Sequence, residues 1–207
     1  MMMLLAWATG ILAFSLAQAN VGLRVGAAQR VDILLTALVD PVRTNDASQA
    51  LVGIGSRDQR VRELVVLRLP SLLRDAADHP KITTDVLYEE VRVAGDLRIK
   101  SAVPPLIALL QMNNENGGPL TMTRQLELRD DPVGRALCLI RDDASLGLFD
   151  PLLKKTDGHV RGRALRVLVC FNTPASKLVL EDVFRHEQDE GIRRYLLAHN
   201  IGTAPEI

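Results

Sequence analysis

Apolar residues three and four apart recur along most of the chain, and period-two alternation over several residues is absent. That spacing puts apolar side chains on one face of a helix and predicts helices rather than strands. Val160, Ala164, Val167 and Leu168 form one stripe, on a helix predicted to start near Gly158. Ile192 and Leu196 begin a second. Leu106, Leu109 and Leu110 form a third on a helix opening at Pro104-Pro105, where a missing proline N–H would have no helical partner in any case. Within residues 20–40, Val31, Leu34, Leu35 and Leu38 give an apolar face to a predicted N-terminal cap. Turn signals at Asp78-His79-Pro80, Gly95-Asp96, Asp157-Gly158 and Asn172-Thr173-Pro174 cut the pattern into segments of ordinary helix length. Short helices joined by short turns fold as antiparallel hairpins.

The hairpins repeat. The signature is Asp, two residues, Val or Ile, then Arg: Asp58-Gln59-Arg60-Val61-Arg62, Asp157-Gly158-His159-Val160-Arg161 and Asp189-Glu190-Gly191-Ile192-Arg193. A degenerate copy reads Asp130-Asp131-Pro132-Val133-Gly134, with Gly in place of Arg. The steps are 27 residues from Asp130 to Asp157 and 32 from Asp157 to Asp189; Asp58 lies 99 before Asp157, close to three such steps. An Asp before a helix accepts from the free first-turn N–H groups and its charge suits the positive helix end. The Arg four residues on is expected to reach back to that carboxylate, or to the Asp of the next repeat.

The run Gly95-Asp96-Leu97-Arg98-Ile99-Lys100-Ser101-Ala102-Val103-Pro104-Pro105-Leu106-Ile107-Ala108-Leu109-Leu110 resembles the first half of a short bacterial HEAT repeat, of the PBS lyase HEAT-like kind. The Asp-x-x-Val-Arg helices resemble second halves, and the resemblance covers roughly residues 58–202. It implies an all-α fold, an α-solenoid of about four to five helical hairpins with a binding surface on one side. Residues 20–57 would be capping helices and residues 58–207 the repeat domain. Residues 111–123, with Asn113-Asn114-Glu115-Asn116-Gly117-Gly118-Pro119, interrupt the pattern as a polar loop, read as a tolerated insertion.

Residues 1–19 carry no charged side chain and end in Ala17-Gln18-Ala19, small residues where a signal peptidase reads them. They are expected to be a signal peptide cleaved after Ala19, which makes the protein exported, periplasmic or secreted. The alternative is an uncleaved membrane anchor over residues 4–19, and the membrane then touches the protein only through that segment. The 25 basic and 25 acidic residues cancel and aromatics are only 3%, which counts against a nucleic-acid partner.

Catalytic chemistry is sparse. No phosphate-cradling glycine loop or serine nucleophile elbow is present, and Gly53-Ile54-Gly55 reads as a turn between helices. His186-Glu187 is similar to one His-Glu pair of deoxyhypusine hydroxylase, an iron enzyme on a HEAT scaffold that needs several such pairs; one supplies too few ligands. Glu89-Glu90 and Asp142-Asp143 read as solvated helix ends. Cys138 and Cys170 sit in apolar stretches where the ordinary reading is a small buried hydrophobe; export would also permit a disulfide, and the sequence leaves that open. No cofactor and no metal is expected. The function expected is a non-catalytic scaffold or adaptor whose partner is another protein, with Arg163, Arg166 and Arg194 as candidate contacts on a ridge of second helices. Asp58, Arg62, Asp157, Arg161, Asp189 and Arg193 are expected to be structural. A HEAT-like lyase-type enzyme and a membrane-tethered structural module are the alternatives. If residues 1–19 are a cleaved signal, the protein purified from its native host will begin at Asn20 by intact-mass measurement; a chain retaining Met1 would overturn cleavage.

Overall fold

The computed structural model describes residues 26–78, 84–111 and 131–202. The expected signal segment, the polar stretch over 112–123, the His79-Pro80 break and Asp130 lie outside the described residues. All regular structure among them is helical: α1 (Ala27–Leu38), α2 (Thr44–Gly55), α3 (Gln59–Asp78), α4 (Thr84–Asp96), α5 (Val103–Gln111), α6 (Pro132–Ile140), α7 (Asp150–Leu153), α8 (Gly158–Phe171), α9 (Pro174–His186) and α10 (Glu190–Ala198), with 3-10 turns at Lys100–Ala102 and Asp143–Phe149.

The helices pack in two layers. α2, α4, α6 and α8 lie side by side in one; α1, α3, α5 and the 143–149 turn follow one another in the other, and α9 joins at that turn. Each helix also packs on a neighbour across the layers, so every apolar stripe has a surface to cover it. Val31, Leu35 and Leu38 of α1 are buried, and Leu34 packs against the core, as their spacing predicts. Phe149 and Phe171, both fully buried, meet edge to face with centroids 6.0 Å apart and fill the junction beneath α8.

Local signals account for most helix ends. Asp58, Asp131, Asp157 and Asp189 each accept from first-turn N–H groups, and Thr173 forms a reciprocal capping box with Ser176. At the other end, α4, α6, α8 and α10 are each followed by a non-glycine residue in the left-handed region: Arg98, Arg141, Asn172 and Asn200. Such residues are uncommon, and each of these four lies just past the end of a helix. α3 runs through Pro70. A proline there cannot bond the carbonyl of Val66, and the Ser101 hydroxyl donates to that carbonyl at 3.2 Å instead.

Four expectations are corrected. Asp58 opens α3, which lies with α1 and α5, not with α6 and α8; an Asp cap followed by Val marks a helix start in either layer. In the degenerate copy the cap is Asp131, one residue later than the spacing suggested. Gly53-Ile54-Gly55 is the last turn of α2, not a turn between helices. Gly95 also lies inside its helix: a Cβ there would stand 2.9 Å from the Ala136 Cα, so glycine lets α4 and α6 approach closely.

The acidic pair on α4 departs furthest from expectation. Glu89 joins Ser48 of α2 and Arg92 in a hydrogen-bonded group that ties the two helices. Glu90 is 1% exposed, and neither carboxyl oxygen has a hydrogen-bond partner. Burial, with Asp75 adding to it, raises its pKa from the usual 4.5 to about 7. Because the folded value is raised, the protein is most stable below about 4.5 with respect to this group, and stability falls as pH climbs to about 7. Urea unfolding of the wild type is expected to lose ~3 kcal/mol across that window, and Glu90→Gln should lose far less. Equal pH slopes in the two proteins would contradict this assignment.

Candidate functional site

The repeat-signature arginines act at helix ends. Arg62 Nη2 donates to the Leu97 carbonyl at 2.8 Å, just past the end of α4. Arg161 donates to the Lys155 and Thr156 carbonyls after α7, at 2.7 and 2.9 Å, and grips both oxygens of Glu187 at 3.1 and 3.2 Å. Arg193 donates to the Phe184 carbonyl at 2.9 Å, near the end of α9, and stacks over the Phe184 ring at 4.4 Å. These groups were expected to reach an Asp of the signature. They take up carbonyls that a helix end leaves unpaired, and the guanidinium charge suits the negative end of the dipole.

Arg163 was expected on the outer ridge. It is 8% exposed. Its Nε and Nη2 meet the two oxygens of Asp131 at 2.7 and 2.9 Å, and Nη1 donates to the Leu110 carbonyl at 3.0 Å. The residue stands beside Ala164 on a helix flanked by both α5 and α6, so its face is covered on two sides. Burial alone would raise the Asp131 pKa; the hydrogen bonds and charge of Arg163, with the Gly134 N–H, outweigh it and lower the pKa below the usual 3.8. One guanidinium therefore joins the end of α5, the start of α6 and the middle of α8.

Arg166 and Arg194 remain at the surface in different settings. Arg194 is exposed on α10, 3.7 Å from Glu190. Arg166 is half-buried, and its Nε is fully shielded with no acceptor. Burial lowers its pKa, partly opposed by Asp131 and Tyr195. It lines a crevice of about 380 Å³ between α8 and α10, with His159, Gly162, Asp189, Ile192 and Tyr195. The sequence pointed to Arg166 but not to Tyr195 or Gly162. Tyr195 lies three residues after Ile192 on a helix read only for its apolar stripe, and a lone glycine within a helix carries no motif.

Cys138 of α6 and Cys170 of α8 are joined as a disulfide, with Cα atoms 5.8 Å apart. Both are half-buried rather than core residues, which places their sulfurs on the outer side of the stripe. The same two helices are tied again where Arg141 Nη2 donates to the Asn172 carbonyl at 3.3 Å. His186 ends α9, with Nδ1 2.9 Å from the Asp182 carbonyl. Among the described residues no group of three or more His, Cys, Asp or Glu side chains is placed to hold a metal ion, and no helix is long and apolar enough to cross a membrane. The chain matches no family model, no curated protein and no solved structure.

The clamp gives a direct test. Arg163→Met leaves the Asp131 carboxylate buried without its partner and is expected to destabilise the fold by roughly 3–5 kcal/mol. Adding Asp131→Asn should recover part of that loss, as measured by a denaturant double-mutant cycle. Strictly additive effects would place the two side chains out of contact.

Proposed function

We propose that the chain is a non-catalytic protein-binding scaffold or adaptor, built as an α-solenoid of HEAT-like hairpins and working in an exported compartment. The observation that carries this reading is the order of packing. Helices pair in succession, α1 with α2 through α9 with α10, while α2, α4, α6 and α8 line up in one layer. A stack of that kind offers a long surface made of equivalent helices, and shape is its means of recognition. The left-handed residues after α4, α6, α8 and α10 support the same repeat, because they recur where a hairpin unit would end. The Cys138–Cys170 disulfide supports export, since such bonds persist in oxidising compartments.

Within this reading Arg166 and Arg194 are the contacts, and Arg163 serves the fold. The test is recovery of the full chain, tagged at its C-terminus, from the native envelope fraction, with mass spectrometry of whatever accompanies it. A reproducible protein companion is expected, lost in the Arg166→Glu, Arg194→Glu double variant while the helical circular dichroism is unchanged. Recovery without a protein companion, with nucleic acid, or with a bound pigment would overturn the scaffold reading.

A further inference from the structure

We infer that the crevice between α8 and α10 receives an acidic side chain from an exposed segment of the partner protein, with an aliphatic neighbour of that residue packed beside it. The inference rests on the scaffold reading and names what one part of its surface recognises.

Three observations converge on this. The first is the state of Arg166. Arg62, Arg161, Arg163 and Arg193 each hold a carbonyl or carboxylate acceptor, whereas the Arg166 Nε is shielded and holds none. The Arg166 side chain lines the crevice, so a carboxylate entering there meets a guanidinium charge. The second is room. Gly162 lies one helical turn before Arg166, and a Cβ built there would meet nothing within 4 Å. A side chain of ordinary size at 162 would occupy the space in front of the guanidinium. The third is the character of the walls. Tyr195 of α10 lines the crevice opposite Arg166 of α8. Leu165 and Ile192 supply the apolar side on which an aliphatic residue would rest.

The surrounding charges select the kind of anion. Asp131 is engaged by Arg163. Asp189 lines the crevice with one oxygen held by the Gly191 and Ile192 N–H groups, and Glu190 lies beside Arg194. A single carboxylate adds the least negative charge beside Asp189. A polyanion such as nucleic acid would bring further charges against Asp189 and Glu190 with one crevice guanidinium to receive them.

The experiment uses the full chain labelled with 15N, followed by NMR at the Arg166 Nε–H and the Gly162 and Gly191 amides. The probes are an N-acetylated, C-amidated leucyl-glutamate dipeptide, its leucyl-glutamine counterpart, and sodium sulfate. Saturable shifts at all three positions are expected with the glutamate probe, with binding weaker by at least about tenfold for the glutamine probe and for sulfate. Arg166→Gln should weaken the glutamate probe by a similar factor, and so should Gly162→Leu, which keeps the arginine but fills the crevice. Arg185→Gln, at an exposed cation on α9 outside the crevice, should leave it unchanged. Equal response to glutamate and glutamine, sulfate binding as tightly as glutamate, or undiminished binding in Gly162→Leu would overturn the inference. The two readings fail separately. A protein companion that Gly162→Leu still retains would overturn the crevice and leave the scaffold standing. Specific glutamate binding by a chain without any companion would support carboxylate recognition and overturn the scaffold.

Discussion

A helix ends with carbonyls that nothing inside the helix can satisfy, and a stack of short helices multiplies that problem. In this protein arginine resolves it repeatedly. The Arg163 guanidinium does so at the most demanding point, where α5 stops, α6 starts and α8 passes between them. The geometry suits arginine alone among the cations. Its fork takes both oxygens of Asp131 and still presents a donor to Leu110, a task that lysine's single ammonium cannot match in plane. Asp131 in turn caps α6 through the Gly134 N–H, so the same carboxylate closes one helix and anchors the arginine that closes another. That pair adds a directional link between α5 and α6, where apolar contact alone fixes distance better than register.

The same solution at Arg62, Arg161 and Arg193 is weaker because those side chains are less enclosed, yet it sets the relation of each hairpin to its neighbour. Apolar packing supplies the free energy, and the directional bonds select one arrangement among several of similar burial. Glu90 runs against this pattern. It places a carboxyl with no partner in the core of α4, where a glutamine or an aliphatic residue would serve stability better.

Much of this was legible in the sequence. The helical stripes, the Asp caps at 58, 157 and 189 and the breaks at 157–158 and 172–174 are short-range features, and the chain states them within a few residues. What escaped was set by partners far along the chain. Arg163 and Arg166 have the same local pattern, and only the approach of residues 53 and 32 positions earlier buries one and leaves the other at the surface. Gly95 was read as a turn because glycine ordinarily marks one, whereas its purpose is the contact with Ala136. Glu89 and Glu90 were read as one solvated pair, though adjacent residues on a helix point about 100° apart and so meet different surroundings. Pairing of the two cysteines needed the distance between α6 and α8, which no spacing rule supplies.

The three-way hold of Arg163 has a consequence for how such a chain can change. It fixes Leu110 and Asp131 directly against α8, so the end of α5 and the start of α6 each have a contact of their own with that helix. The entropy of closing a tethered loop grows only slowly with its length. A change in the number of residues between those two anchors therefore leaves both contacts with Arg163 in place. In evolutionary terms this is a graft point, where a new sequence can be tried while the scaffold that presents it stays intact.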